Sequence, residues 1–202
     1  MINFDFFTPT KILFGAGRES EVGKQVAAFG GHKVMIIYGK KGGHIETSGL
    51  LDRVHKSLSD AGLSYVDLNG VVPNPRLSLV KEGIRIGRAE GVDFLLPIGG
   101  GSVIDTAKGI GYGIANDFEM EDLLYGRVKT DKNLPIGVIL TIAAAGSEMS
   151  SSMVLTIEDG MMKRSYGHDC ARPKFAIMNP ELTYSLPAYQ TASGAADIMM
   201  HT

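Results

Sequence analysis

At 202 residues, 44% of them hydrophobic and 21% charged, the chain has the composition of a globular protein with one large domain or two small ones. Twenty Lys and Arg stand against 22 Asp and Glu, a formal charge of −2, so no bulk positive field exists to hold nucleic acid or an anionic membrane. One cysteine closes no internal disulfide and builds no thiolate zinc cluster, which excludes a disulfide-stapled scaffold and a zinc finger and fits a reducing cytoplasm.

The opening MINFDFFTPTK has no basic segment leading into an apolar run, and no apolar stretch approaches the roughly 20 residues of a membrane span, so neither a signal peptide nor a membrane helix is expected. Short apolar runs alternate with segments of helical period, the pattern of β-α units in a parallel sheet. A strand near Ile12 to Phe14 and a glycine turn precede a helix over Arg18 to Phe29. Lys33 to Tyr38 reads as a strand, Ser48 to Ala61 as a helix capped at Gly62, and Tyr65 to Leu68 as a strand. Pro73 and Pro75 break the chain before a helix ending at Gly91. Phe94 to Ile98 is apolar throughout, as a strand covered on both faces requires, and runs directly into Gly99, Gly100, Gly101 and Ser102. A helix over Ser102 to Ala115, a polar surface connection over Asn116 to Asn133 and a buried strand over Ile136 to Thr141 follow. Met153 to Ile157 and Met161 to Tyr166 flank a short turn with hairpin chemistry, and Lys174 to Met178 is a last short strand. From Pro187 a helical segment runs to Thr202 without the usual stop signals, so an element cut short is expected there.

The strongest local signal is LLPIGGGSVIDTAK, a buried strand delivering a glycine turn to a helix start. Glycines let phosphate approach the main chain, and the helix start offers unpaired N–H groups and positive dipole. The spacing is neither GxGxxG nor that of a P-loop. Ser102 and Asp105 could equally form a capping box. Asp197 and His201 stand four apart on one helical face, where they could ligate one divalent metal or form an ion pair. His32, His44, His55 and His168 have no ligand spacing, Cys170 has no activating partner in the sequence, and the ten methionines read as core fillers.

Seven segments in order, FFTPTKILFGAG, VVPNP, LLPIGGGSVIDTAK, LTIAAAGSEMS, the lysine of MMKRSY, MNPELTYSLP and GAADIMMHT, resemble the iron-containing (group III) alcohol dehydrogenases, especially their butanol dehydrogenase-like branch. The resemblance runs from end to end, and family members are about twice this length. It implies a Rossmann-like α/β dinucleotide-binding domain over residues 1–185 with a mostly parallel sheet. Residues 186–202 would be the first helix of an all-helical metal-binding domain, truncated here. By the same resemblance Gly99, Gly100, Gly101 and Ser102 bind pyrophosphate, with Asp105 supporting the loop or a ribose. Asn74, Thr141, Ser150, Lys163 and Leu182 take up the rest of the cofactor. Ala143, Ala144 and Ala145 depart from the family's TTAGTGSE form and remove hydroxyls there. Where many relatives carry an aspartate after the second strand, this chain has Gly39, Lys40 and Lys41, which removes repulsion of a 2′-phosphate and offers cations. NADP(H) is therefore expected over NAD(H), against the plainer reading that the lysines only solvate a loop. Asp197 and His201 match two of four ligands to iron(II) or zinc. The activity implied is hydride transfer between NADP(H) and a small primary alcohol or aldehyde by a cytoplasmic homodimer. A catalytically silent nucleotide-binding module, or a glycerol dehydrogenase or dehydroquinate synthase-like relative, are the alternatives.

Overall fold

The computed structural model describes residue 3 and residues 7–201. Phe6 of the FFTPTK segment and Thr202 of GAADIMMHT lie outside the described residues, as do the outermost residues of the expected 1–185 and 186–202 domains. In chain order the elements are β1 (Lys11–Phe14), α1 (Val22–Ala28), β2 (Lys33–Ile37), α2 (His44–Thr47), α3 (Leu50–Asp60), β3 (Ser64–Leu68) and α4 (Leu77–Glu90). They continue with β4 (Phe94–Gly99), α5 (Gly101–Ala115), α6 (Met120–Leu124), β5 (Gly137–Leu140), the hairpin strands β6 (Ser152–Ile157) and β7 (Met162–Gly167), β8 (Phe175–Met178) and α7 (Ala188–His201).

Six strands form one sheet in the order β1-β8-β5-β4-β2-β3, every pair parallel, while β6 and β7 form a separate antiparallel ribbon. Alternation along the strands explains why both faces are covered. Val34 and Ile36 of β2 join Phe94, Leu96 and Ile98 of β4 in a core with α1 and α3. Met35 and Ile37 turn the other way, with Leu95, into a core shared with α4, α5, α6 and the hairpin. The α1 and α3 backbones approach closely because Gly23 lies against Ser57, where a Cβ would strike the Ser57 carbonyl.

The expected polar connection over Asn116 to Asn133 contains a helix, α6, with Met120, Leu123 and Leu124 buried. The segment from Arg18 is a 3₁₀ turn over Arg18–Glu21 before α1 begins. Among the described residues no helix is long and apolar enough to cross a membrane.

Candidate functional site

The chain leaves β2 for β3 on one side and leaves β4 for β5 on the other, so the connections diverge at the carboxyl ends of β2 and β4. In an open parallel sheet such a divergence leaves a crevice suited to a ligand. The glycine turn sits there. Gly99 ends β4 with its carbonyl accepting from the Thr141 N–H at 3.2 Å, which ties the turn to the end of β5. Glycine is required at Gly99 because a Cβ would lie 2.5 Å from a Val103 methyl and 2.9 Å from its Cβ. At Gly101 the surroundings are open, the nearest heavy atom to a Cβ being that of Ser147 at 3.9 Å. Gly100 is the cap residue of α5, and no side chain caps that helix. The capping box considered for Ser102 and Asp105 is therefore absent: Ser102 lies inside the first turn, and no side chain caps the amides at the start of α5, which sits at the crevice.

Residues from the other strand ends border the same edge of the sheet. Gly39 and the exposed Lys40 follow β2, and the Gly39 carbonyl accepts from Gly70 N–H at 2.8 Å, pinning this loop to the one after β3. The Glu46 carboxylate accepts from Gly42 N–H at 2.9 Å and closes the lysine loop against α2. Asn74, exposed and left-handed at φ 57°, lies in the loop after β3. Thr141 and Leu182 line a cavity of about 260 Å³ with His44, Arg53 and Asn179. Asn179 is buried, donates to the buried Glu19 carboxylate at 3.0 Å and accepts from Glu181 N–H, which fixes the turn carrying Leu182. Lys163 lies off the main sheet on β7, opposite Thr156 of β6. The hairpin is nevertheless tied to the crevice, since Thr156 N–H donates to the Pro75 carbonyl at 2.8 Å beside Asn74.

Lys108 is a residue that the sequence does not single out. Its ammonium is fully buried and donates to the Ser147 carbonyl at 2.9 Å, the Ser147 Oγ at 3.2 Å and the Ser152 carbonyl at 2.8 Å. Asp105, one turn earlier, accepts from Ser147 Oγ at 2.8 Å and from Val154 N–H at 3.0 Å, so both of its oxygens are engaged within the protein. Burial lowers the lysine to about 8, against the pull of the Asp105 and Glu148 carboxylates, and burial raises Asp105 against its hydrogen bonds and Lys108. The segment between, residues 147–152, carries Ser150, whose Oγ lies 2.9 Å from Ser152 Oγ. The signal available in the sequence is Asp105 and Lys108 at i and i+3 in a helix otherwise almost wholly apolar.

Asp197 and His201 are one turn apart on α7, Oδ1 to Nε2 3.7 Å, both partly exposed. A carboxylate and an imidazole on one helical face are donors that suit a divalent transition metal. Among the described residues no third His, Cys, Asp or Glu joins them. Met199 and Met200, expected to pack, are exposed at 76% and 85%. Gly194 brings α7 to the loop after β5 so closely that a Cβ would lie 2.5 Å from the Ala143 carbonyl oxygen.

The sequence profile described as "Iron-containing alcohol dehydrogenase" matches residues 9–180. The chain is 42% identical over 202 residues to NADH-dependent butanol dehydrogenase A of Clostridium acetobutylicum, covering 100% of this chain and 51% of that one. It is 34% identical over 206 residues to the NADPH-dependent aldehyde reductase YqhD of Escherichia coli, again covering 100% and 51%. The crystal structure of NADH-dependent butanol dehydrogenase A from Thermotoga maritima superposes with a TM-score of 0.95 at 38% identity, over 98% of this chain and 50% of that one. The chain thus spans about half the length of the relatives it matches.

Proposed function

Because the chain belongs to the iron-containing alcohol dehydrogenase family, we propose that it supplies the nucleotide-binding part, and two metal ligands, of an enzyme that moves hydride between a nicotinamide cofactor and a small primary alcohol or aldehyde. The observation that carries this reading is the open glycine turn between β4 and an uncapped α5, set at the divergence of the sheet's connections. Gly99, Gly100, Gly101 and Ser102 take the pyrophosphate on backbone amides. Thr141 and Leu182 line the adenosine end, Asn74, Ser150 and Lys163 orient the remainder of the cofactor, and Asp105 supports the loop. Residues 1–185 form the dinucleotide-binding domain, and 186–202 open the helical part that carries Asp197 and His201.

Asp197 and His201 fit as two donors to iron(II) or zinc, which when bound supplies Lewis-acid polarisation of the alcohol or aldehyde oxygen. The nicotinamide is the hydride carrier, and the chain's own task is to hold that ring in one orientation. The approach of α7 to the loop after β5 at Gly194 supports a metal face close to the cofactor crevice. The exposed edge of β1, where Ile12 and Phe14 are 42% and 67% exposed, supports a homodimer, which light scattering would register. A single cysteine of intermediate burial supports a cytoplasmic location.

NADP(H) is the preferred cofactor in this reading. Gly39 places no carboxylate where a ribose 2′-phosphate would sit, and Lys40 and Lys41 are exposed beside it on a loop closed by Glu46. Relatives named for NADH and for NADPH both occur. Steady-state rates with a short-chain aldehyde, Fe²⁺ or Zn²⁺, and each reduced cofactor test the assignment. NADPH is expected to give the higher kcat/KM, and the K40A/K41A double variant to lose about tenfold of it with NADPH while NADH rates stay unchanged. A wild type that prefers NADH overturns the cofactor assignment. Saturable binding without turnover at any metal addition favours a silent nucleotide-binding module.

A further inference from the structure

We infer that Lys108 is a positioning residue for the nucleotide site: it fixes the 147–152 segment against the helix that bears the glycine turn. The inference rests on the nucleotide-binding reading above. Among the described residues no other lysine or arginine is buried. An ammonium withdrawn from water is costly unless every donor is used, and here all three donors meet acceptors on one short segment. Two of those acceptors are main-chain carbonyls, of Ser147 and Ser152, so the bonds define the path of the backbone between them rather than the rotamer of a side chain.

The path matters for what it carries. Ser152 N–H donates to Ser150 Oγ at 3.0 Å and the two hydroxyls lie 2.9 Å apart, so the orientation of Ser150 follows the placement of Ser152. At the other end Ser147 is the nearest neighbour of the open position at Gly101. Both ends of the 147–152 segment are therefore set from α5, whose first turn is the phosphate-binding turn and whose second and third turns supply Asp105 and Lys108. One helix thus holds two walls of the crevice in register. The charged groups facing the amine are Asp105 on α5 itself, Glu148 on the 147–152 segment, and Arg172, which donates to the Met149 carbonyl at 2.8 Å from the chain after the hairpin. Because the lysine titrates at about 8, the strength of this link is set within the mildly alkaline range.

The test is a titration of NADH and NADPH, followed by nicotinamide fluorescence, in the intact protein across the neutral to alkaline range. The wild type is compared with Lys108→Met and Ser147→Ala, and near-ultraviolet circular dichroism checks that each variant is folded. The expected result is a wild-type affinity that falls as pH rises through about 8. Lys108→Met is expected to bind about tenfold more weakly and to lack that alkaline decline. Ser147→Ala, which keeps the amine and both carbonyl acceptors, is expected to bind a few-fold more weakly with the decline preserved. A folded Lys108→Met that binds like the wild type at every pH overturns the role of Lys108 while leaving the nucleotide site standing. If Lys108→Met does not fold, wild-type and Ser147→Ala proteins with equal affinity and no alkaline decline overturn it instead. A wild type that binds neither cofactor removes the nucleotide-site reading, and the role of Lys108 falls with it.

Discussion

The three consecutive glycines are not equivalent, and the difference is measurable. Gly99 is closed in by Val103, whose Cβ is fixed to the helix backbone and cannot rotate away. Gly99→Ala therefore pushes the start of α5 off the strand, at the cost of overpacking, about 1–3 kcal/mol. Gly101 has open space and an ordinary backbone conformation, so Gly101→Ala leaves the fold intact. If the turn binds phosphate as proposed, its methyl would nevertheless stand where that phosphate approaches the amides. The expected outcome is a lowered melting temperature for Gly99→Ala and an unchanged one for Gly101→Ala, with nucleotide affinity reduced in both. The glycine run is readable in the sequence because backbone access demands that residue type. The Lys108 network is not, because a lysine in a helix is ordinarily exposed and only the tertiary fold brings residues 147–152 over it. Lys108 also sets a pH dependence of stability. In the unfolded chain it titrates near its ordinary value of 10.5 and in the fold at about 8, so between these values the unfolded chain holds a proton that the folded one has released. Stability then rises with pH across that window, and below it the buried charge is a standing cost, up to about 3 kcal/mol. Urea melts at neutral pH and near pH 10 should show the wild type gaining on Lys108→Met as pH rises; a constant difference would contradict the burial-driven shift.

Elements with a full period or a two-sided apolar run are legible in the amino-acid sequence alone. β4 is a continuous apolar string, β2 is one from Val34 onward, and α3 places Leu50, Leu51, Val54 and Leu58 on one face. α6 is not, because five residues contain little more than one turn and show no period, and its buried side chains join a core with α4, α5 and the hairpin that only the tertiary fold assembles. The placement of α7 is likewise tertiary. Gly194 reads in sequence as a weak point in a helix, yet it is where α7 meets the Ala143 carbonyl. In Gly194→Ala the added methyl forces the helix outward from the loop after β5. On the proposed function, metal affinity and turnover should fall at least tenfold while nucleotide binding, proposed to depend on the sheet ends, changes little. Equal metal affinity in the variant would show that α7 is not positioned by this contact.

The sheet as a whole divides the work. Five strand ends gather Gly39, Asn74, Gly99, Thr141 and Leu182 along one edge, and the alternating faces of β2 and β4 lock that edge from both sides through two separate cores. This gathering is what a parallel sheet does with loops far apart in sequence, and the run of apolar strands makes it foreseeable; the tie of the hairpin to Pro75 and Asp105 is not, since no local pattern encodes a contact across about fifty to eighty residues. Asp197 and His201 lie outside both cores, on a helix whose only buried residue is Gly194. Neither donor therefore contributes a packed side chain to the sheet, and removing both should alter global stability by no more than about 0.5 kcal/mol. If α7 holds the metal as proposed, the Asp197→Ala/His201→Ala protein loses metal binding by elemental analysis and any hydride transfer, yet keeps the wild-type affinity for the nucleotide. If nucleotide affinity fell together with the metal, the cofactor crevice and the α7 face would be one cooperative unit rather than a sheet-borne site with a metal helix laid against it.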